Sequence, residues 1–263
     1  MKVILSRKGF DSQYGGMPSP ILPDGTMLSL PIPSKDDNIK YSDLNWNGKS
    51  YYDLIHELKE NSRIKEYYTC HLDPDIRKNI TPRLCNWIPS FGQTGSALGH
   101  LMKQNIGIGD LFLFFGTFRH TELKNGRLRY ISNAFPVHVI YGYLQVGNII
   151  TSDKDVPEWL SSHPHVKNKY WEKPNVIYIS SETLSLCSEL PGANCLKYKE
   201  DLVLTKKGCS KSVWFLPDFF RKIHITYNGK AWTADSFVSA SKGQEFVLEA
   251  NDEVLEWIKK LIK

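Results

Sequence analysis

Two long apolar segments constrain the fold of this chain more than any other feature of its sequence. Residues 110–115 read as a continuous apolar strand, and residues 137–146 are rich in β-branched and aromatic side chains. Both patterns are typical of buried strands, and the Asn125-Gly126 pair between them favours a hairpin turn. The predicted strands outnumber the helices and do not alternate with them, which argues against a doubly wound parallel sheet. We therefore predict an α+β fold with a mixed, largely antiparallel and partly closed sheet and flanking helices.

Shorter elements are predicted from capping residues and from the spacing of apolar side chains. Helices begin at Ser50, at Thr94 and at Asn251 or Asp252, and Asp53 completes a capping box with Ser50. Short strands are predicted at residues 2–6, 27–32, 176–179, 202–205, 213–216 and 245–248. We interpret the whole chain, 1–263, as a single domain in which the polar stretch 151–174 is a loop or an insertion.

The composition argues against several classes of protein. The net charge of +5 is compatible with phosphate-bearing partners but falls short of the dense Lys/Arg stripe of a dedicated DNA-binding protein. The five cysteines form neither a C-x-x-C pair nor a zinc-site spacing, and their odd number argues against a disulfide framework. We find no signal peptide and no apolar run long enough to cross a membrane, so we expect a soluble, cytoplasmic protein.

The first segment with candidate chemistry follows the strand at residues 2–6. Arg7, Lys8 and Asp11 surround Gly9 there. Cations beside a flexible backbone suit a phosphate group, because their charges add to exposed N–H donors. Asp11 is a candidate for binding a ribose hydroxyl or for accepting a proton. The alternative interpretation is a strand end with solvated charges.

A second segment places His71, Asp73 and Asp75 at alternate positions. In an extended backbone all three side chains lie on one face, where they could bind a divalent cation or transfer protons. Pro74 favours an extended Asp73 and therefore supports this geometry. The alternative, which the local sequence slightly favours, is a helix that starts near Pro74 with Asp73 as its N-cap.

A third segment surrounds the predicted start of the helix at Thr94. Gln93 has the donor and the acceptor that reading a base edge requires. Gln93, Ser96 and His100 share one helix face if the first turn includes Gln93. The glycines nearby match neither a Walker loop nor a dinucleotide fingerprint. A buried, hydrogen-bonded His100 is the structural alternative.

Two further segments supply candidate binding residues. Phe118 and Arg119 follow the apolar strand and pair a stacking face with a cation, which suits a splayed-out base. The Gly-Asp turn at 109–110 is similar to a turn of small PUA-like barrels, whose members bind modified bases or RNA. Gln244 and Glu245 start the last strand, where they either contact a ligand or lie at a solvated edge.

The motifs that carry a family resemblance are spread nearly from end to end of the chain. They are Ser6-Arg7-Lys8-Gly9-Phe10-Asp11, Gly15-Gly16-Met17-Pro18-Ser19-Pro20-Ile21, Leu30-Pro31-Ile32-Pro33, His71-Leu72-Asp73-Pro74-Asp75, Phe91-Gly92-Gln93, His100-Leu101, Gly109-Asp110-Leu111-Phe112-Leu113-Phe114-Phe115-Gly116 and Gly243-Gln244-Glu245-Phe246-Val247. Together they resemble the third of the families known as nucleotide modification associated domains. The resemblance implies a role beside base-modification genes of phages and bacteria, in DNA modification or defence, without an established reaction.

This resemblance favours an enzyme that modifies a nucleotide or a base in nucleic acid. Group transfer is the preferred class, because the chain lacks redox motifs and the combined H-x-E and P-C-x-x-C signature of zinc deaminases. The predicted roles are phosphate binding by Arg7, Lys8 and Arg119, base binding by Phe118 and Gln93, and proton transfer by Asp11, His71 or Asp73. The alternatives are a non-catalytic PUA-like reader of modified nucleic acid and a metal-dependent nuclease around His71, Asp73 and Asp75. The expected partner is a nucleotide or nucleic acid, and the sequence assigns no cofactor and no oligomeric state.

Overall fold

A computed structural model of the chain describes residues 1–226, 231–240 and 245–263. Its strands are β1 (Lys2–Arg7), β2 (Ser19–Ile21), β3 (Ile32–Pro33), β4 (Asn45–Trp46), β5 (Lys49–Ser50), β6 (Cys70–His71), β7 (Ser90–Thr94), β8 (Leu111–Lys124), β9 (Arg127–Tyr130), β10 (Val137–Ile150), β11 (Asn175–Ser180), β12 (Thr183–Leu184), β13 (Cys187–Pro191), β14 (Ala193–Cys195), β15 (Val213–Trp214), β16 (Phe237–Val238) and β17 (Glu245–Glu249). Its α-helices are α1 (Tyr51–Leu58), α2 (Gly95–Lys103), α3 (Asn168–Trp171) and α4 (Asp252–Ile262). Strands and helices do not alternate regularly, as predicted.

Nine strands form the main sheet. β17, β1, β8, β10, β11 and β7 follow one another across it, β14 pairs with β10, and β2 and β9 pair with β8. β1 and β2 run parallel to β8 and the other neighbours are antiparallel, which confirms a mixed, largely antiparallel α+β fold. Among the described residues the end strands β7 and β17 are not paired through their backbones, so the sheet is not a closed barrel. A side-chain hydrogen bond from Gln93 to Glu245 joins these two strands instead.

β8 and β10 correspond to the two apolar segments of the sequence, and they pair with each other. Each spans 14 residues and is longer than the sequence predicts. Residues 111–118 of β8 are all buried, which explains their continuous apolar pattern. The predicted hairpin turn joins β8 to β9, and Asn125 and Gly126 both have the positive φ that a type I′ turn requires.

The three predicted helix starts are confirmed. The Ser50 hydroxyl caps α1 by accepting a hydrogen bond from the Asp53 N–H at 3.0 Å. Thr94 is the N-cap of α2, and the Asn251 side chain caps α4 by accepting from the Val254 N–H at 3.0 Å. The Ser50 and Asn251 side chains thereby satisfy N–H groups that have no partner within the helix. None of the described helices has the length and hydrophobicity needed to span a bilayer.

Two predicted strands are wrong. Residues 27–32 form only an isolated bridge and the first residue of β3, and Pro31 within this segment has no N–H to donate to a neighbouring strand. Residues 202–205 also form only isolated bridges, since the 3-10 turn Glu200–Leu202 runs into this segment. Both segments nevertheless contribute buried side chains to the core.

The polar stretch 151–174 packs on the sheet through a small apolar cluster. Three 3-10 turns precede α3, and they are Asp153–Asp155, Glu158–Leu160 and Pro164–Val166. Leu160 lies in a cluster with Ile150, Ile177 and Ile179. The turn Pro164–Val166 contacts both β7 and β11. His165 in this turn is therefore held against the sheet.

Candidate functional site

A polar cavity of about 200 Å³ lies where β1 ends, beside β7. It is lined by Arg7, Lys8, Gly9, Asp11, Tyr14, Ile32, His71, Asp73, Gln93, Thr94, His165 and Tyr170. Six of the predicted site residues therefore share one cavity, and they are Arg7, Lys8, Asp11, His71, Asp73 and Gln93. A larger surface depression of about 420 Å³ around residues 78–83 has no histidine in its lining.

The turn after β1 brings two cations and a carboxylate to this cavity. Gly9 has a φ of +81°, and a Cβ there would lie 2.7 Å from Ser29 Oγ, so the turn requires glycine. Asp11 Oδ1 accepts hydrogen bonds from the N–H groups of Gln13 at 2.7 Å and Tyr14 at 2.8 Å. In the described part of the chain Asp11 Oδ2 has no hydrogen-bond partner, and it is therefore free to accept a proton.

A buried carboxylate holds Lys8 and Gln93 in position. Glu245 is 1% exposed, and its Oε1 lies 3.0 Å from Lys8 Nζ and 2.7 Å from Gln93 Nε2. Burial raises the pKa of Glu245, while the Lys8 cation acts in the opposite direction. Lys8 Nζ also lies 4.3 Å from the centroid of the Phe91 ring. Gln93 Oε1 accepts from the Thr94 N–H at 3.1 Å, so both ends of this amide are fixed.

Two histidines and a carboxylate form another part of the wall. His71 Nδ1 lies 2.8 Å from Asp37 Oδ2, and Asp73 Oδ1 accepts from the Gly92 N–H at 2.7 Å. Although burial opposes ionisation, the hydrogen bond from His71 lowers the pKa of Asp37 to about 2. One potential ligand atom from each of His71, Asp73 and His165 lies within 4.8 Å of the other two.

His165 is held by β7, β11 and α3. Its Nδ1 lies 2.7 Å from Asn175 Oδ1, while Asn175 Nδ2 donates to the His165 carbonyl at 3.0 Å. A Cβ on Gly92 would come within 2.3 Å of the His165 ring, so this ring can pack on β7 only because residue 92 is glycine. Tyr170 stacks on the ring, with centroids 4.6 Å apart and an interplanar angle of 20°.

His163 lies beside the Asp73 carboxylate. His163 Nδ1 accepts from the His165 N–H at 3.2 Å, so Nε2 carries the proton of the neutral ring, and it lies 3.4 Å from Asp73 Oδ1. Burial opposes ionisation of Asp73, but this long contact and the neighbouring imidazoles lower its pKa to about 2. Burial lowers the pKa of His165 to about 4. At neutral pH the wall therefore holds a carboxylate beside a neutral imidazole.

Asp75 lies outside the cavity. Its two oxygens are 2.5 and 2.6 Å from the Arg83 guanidinium, and it also accepts from Trp87 Nε1 at 3.2 Å. The predicted helix start near Pro74 is wrong, because Asp75 forms a backbone bridge with Ser90 instead. Asp75, the third of the alternating residues His71, Asp73 and Asp75, is therefore engaged in an ion pair with Arg83.

Phe118 and Arg119 also lie away from the cavity. Phe118 is fully buried, and its ring packs 5.4 Å from that of Tyr141. The Arg119 guanidinium lies 5.0 Å from the Tyr130 ring centroid and donates to the Ile131 carbonyl at 2.9 Å. The structure thus gives Phe118 a place in the core and Arg119 a role in holding the β8–β9 hairpin.

The remaining predicted residues support the site from outside or cannot be placed. His100 Nε2 lies 3.0 Å from Thr226 Oγ1 and so fixes α2 beside β17. Glu245 does not line the cavity, and it acts through Lys8 and Gln93. Gln244 lies outside the described residues.

Four residues that lie in or beside the cavity were not singled out from the sequence, and they are Asp37, His163, His165 and Tyr170. His163-Pro164-His165 places two histidines at alternate positions, the same spacing that singled out residues 71–75. That signal was present, but it lies in the polar stretch interpreted as a loop. No local pattern marks Asp37, because its contact with His71 joins segments 34 residues apart.

Fold and site together define a mixed α+β protein with a small cavity lined by cations and histidines. The model of the nucleotide modification associated domain 3 family matches residues 2–249, and the chain belongs to this family. The family name associates it with nucleotide modification, and the match includes every residue that lines the cavity. No curated protein and no solved structure matches the chain significantly.

Proposed function

We propose that this protein is an enzyme that modifies a nucleotide, or a base in nucleic acid, by group transfer at this cavity. One observation carries the proposal: residues singled out in three distant segments, 7–11, 71–73 and 93, line the same cavity. Ionisable side chains that converge on a concave site are typical of catalytic centres. Membership of a family named for nucleotide modification supports the same substrate class.

The residues of the cavity suit distinct parts of such a substrate. Arg7 and Lys8 supply positive charge for a phosphate, and the Glu245 carboxylate keeps Lys8 in place. Gln93 presents an amide whose position is fixed, as recognition of a base edge requires. Asp11 and the two residues His71 and Asp73 are the candidates for proton transfer.

The size of the cavity limits how a polymer could reach it. A volume of about 200 Å³ accommodates part of a nucleotide and excludes a duplex. A target within nucleic acid must therefore be a single-stranded or flipped-out base. We assign the activity to the cytoplasm, in phage or bacterial DNA modification or defence.

A PUA-like reader that binds modified nucleic acid without altering it is the alternative. The net charge of +5 and the paired cations Arg7 and Lys8 favour anion binding and do not by themselves require catalysis. A reader binds in a salt-dependent manner and leaves the mass of its ligand unchanged after prolonged incubation. A changed ligand mass excludes this alternative.

The proposal is tested by mass spectrometry of nucleosides from cells with and without the protein and its neighbouring genes. Asp11→Asn keeps an acceptor oxygen for the turn but removes the charge, and His71→Gln removes the imidazole, so each should abolish the modified nucleoside. Asp36→Asn changes an exposed carboxylate outside the cavity and is the matched control. Melting curves confirm that the variants fold. Unchanged modification by both cavity variants contradicts the assignment.

A further inference from the structure

The donor atoms of the cavity wall have an arrangement that proton transfer alone does not require. Two imidazoles and one carboxylate converge, and potential ligand atoms of all three lie within 4.8 Å of one another. We propose that His71, Asp73 and His165 bind a divalent first-row transition-metal ion at this wall of the cavity.

The hydrogen bonds of the two histidines leave the same nitrogen free on each ring. His71 Nδ1 is bonded to the Asp37 carboxylate and His165 Nδ1 to the Asn175 carbonyl oxygen, so each Nδ1 is the donor. In a neutral imidazole the lone pair is then on Nε2. In the described part of the chain neither Nε2 has a hydrogen-bond partner. Asp73 Oδ2 likewise has none there, because the Gly92 N–H and the His163 contact both involve Oδ1.

The groups behind these three residues match the outer shell of a metal site. Metal-binding histidines generally donate their second N–H to a carboxylate or a carbonyl, which fixes the tautomer and the ring orientation. Asp37 serves this purpose for His71, with its carboxylate only 2% exposed, and Asn175 does so for His165. The Gly92 N–H holds Asp73 through a hydrogen bond to Oδ1, and His163 Nε2 lies 3.4 Å from the same oxygen. All three ligands are thus oriented before an ion arrives.

The donor set also selects the class of ion. Imidazole suits zinc, iron, cobalt and nickel, whereas magnesium prefers oxygen ligands and retains its water. Three protein ligands leave coordination positions open, as in catalytic sites, while structural zinc sites use four. Arg7, Lys8 and Asp11 line the same cavity, so the open positions lie beside the predicted phosphate-binding cations.

The use of such an ion in catalysis rests on the proposed function, but binding of the ion does not. A Lewis acid at this wall would polarise a substrate oxygen held by Arg7 and Lys8. With His71 and Asp73 engaged as ligands, Asp11 becomes the remaining proton acceptor of the cavity.

The first test measures metal binding by the full-length protein without any nucleotide. Chelator-treated protein is dialysed against Zn²⁺, Co²⁺ or Mn²⁺ and the bound metal is counted, and the visible spectrum of the Co²⁺ complex reports nitrogen and oxygen ligands. We expect one ion per chain and no displacement by a large excess of Mg²⁺. The absence of stoichiometric binding for all three ions overturns the proposal.

Ligand variants locate the ion. His165→Gln and His71→Gln should each lower Co²⁺ affinity at least roughly 100-fold and change the spectrum. His120→Gln, away from the cavity and packed on Tyr198, should leave both unchanged. Asp75→Asn should retain one bound ion, since Asp75 is paired with Arg83. The proposal is wrong if the ion remains bound in both ligand variants, or if Asp75→Asn abolishes binding in folded protein.

Substitutions of the neighbouring residues Asp36 and Asp37 test whether Asp37 positions His71. Asp37→Asn weakens the fixed tautomer of His71 and should reduce Co²⁺ affinity roughly 10–100-fold, with the ligand spectrum retained. Asp36→Asn alters a carboxylate that is 70% exposed and should have no effect. Equal affinities in the two variants contradict the outer-shell assignment. Since none of these measurements uses a nucleotide, their outcome is separate from that of the nucleoside analysis.

Discussion

Buried histidines occur in two regions of this molecule, and the regions differ in what their rings contact. His138 lies in the main core, 2% exposed, where its Nδ1 accepts from Trp214 Nε1 at 3.0 Å and its ring packs 5.3 Å from that of Phe115. Burial lowers the pKa of His138 to about 3. Because the ring is enclosed by aromatic side chains and its nitrogen accepts from an indole, this histidine stabilises the fold.

The histidines that line the cavity, His71 and His165, are directed differently. His165 is as buried as His138, at 2% exposed, and burial lowers the pKa of His165 to about 4. His165, unlike His138, lines a cavity, and His71 beside it is backed by the Asp37 carboxylate. Burial and a low pKa therefore do not identify a functional histidine. His71 and His165 differ from His138 in that their rings line a cavity and have a polar partner behind them.

The largest expected effect is a loss of stability from a change in the core that leaves the cavity unaltered. Trp214→Ala removes a fully buried indole and the hydrogen bond to His138, so it should lower the free energy of unfolding by about 3–5 kcal/mol. Metal binding by the folded fraction should be unchanged. Urea titration measures the first quantity and equilibrium dialysis the second. Trp214→Phe, which loses mainly the hydrogen bond, should cost about 1 kcal/mol. A metal affinity that falls with stability in both variants would show that the two regions are not independent.

The pH dependence of the free energy of unfolding tests the part that the buried His138 plays in the core. The pKa of His138 falls from 6.5 to about 3 on folding, so between these values the unfolded chain binds a proton that the folded chain does not. The free energy of unfolding should therefore decrease as the pH falls from about 6.5, by up to about 1.4 kcal/mol per pH unit. His138→Gln retains an acceptor for Trp214 but does not titrate, so its stability should fall less. Urea unfolding of metal-free protein at about pH 6.5 and 4.5 measures the difference, and identical slopes would contradict it.

A matched pair of glycines tests how the cavity is built. Gly92→Ala places a Cβ 2.3 Å from the His165 ring, so it should lower the free energy of unfolding by about 1–3 kcal/mol and abolish metal binding. Gly99→Ala, in α2 with open space around it, should instead stabilise the protein by about 0.5–1 kcal/mol and leave the cavity intact. Thermal melts measure the change in stability, and the number of metal ions bound per chain shows whether the cavity is intact. If the two variants behave alike, the contact between Gly92 and His165 does not shape the site.

The smallest expected effect concerns the ring stacked on His165. Tyr170→Ala removes this stacking and should weaken metal binding by about 0.5–1.5 kcal/mol, whereas Tyr170→Phe keeps the ring and should be nearly neutral. Co²⁺ titration of both variants separates the contribution of ring packing to metal affinity from that of the hydroxyl group. An equal loss in Tyr170→Phe and Tyr170→Ala would assign the effect to the hydroxyl and contradict the stacking role.

The parts of the fold that were predictable are those with strong local patterns. β8 and β10 follow from continuous apolar runs, and the start of α1 follows from the Ser50 cap. The strand predicted at 202–205 was wrong, because apolar side chains there enter the core from a turn and the isolated bridges that follow it. The order of strands in the sheet depends on long-range pairing that no local pattern specifies.

The candidate site was predictable where cavity-lining side chains follow a strand or precede a helix. Residues 7–11 and Gln93 were found in this way, and His71 and Asp73 through their alternate spacing. His165 was missed because its burial arises from the pairing of β11 with β7, which brings Asn175 and Gly92 to its ring. Asp75 was included because alternate spacing does not show that Arg83 engages it.

The ion pair of Lys8 and Glu245 links residues 237 positions apart and joins the first strand of the sheet to the last. A ribosome must therefore synthesise nearly all of the family domain before the cation of the cavity has its counter-charge. Until β17 has emerged and paired with β1, Lys8 and Gln93 lack the carboxylate that orients them. A nascent chain consequently forms the Lys8–Glu245 pair only after β17 has been synthesised, and a fragment that stops before β17 is expected to leave Lys8 and Gln93 unpositioned even if the rest of the sheet has formed.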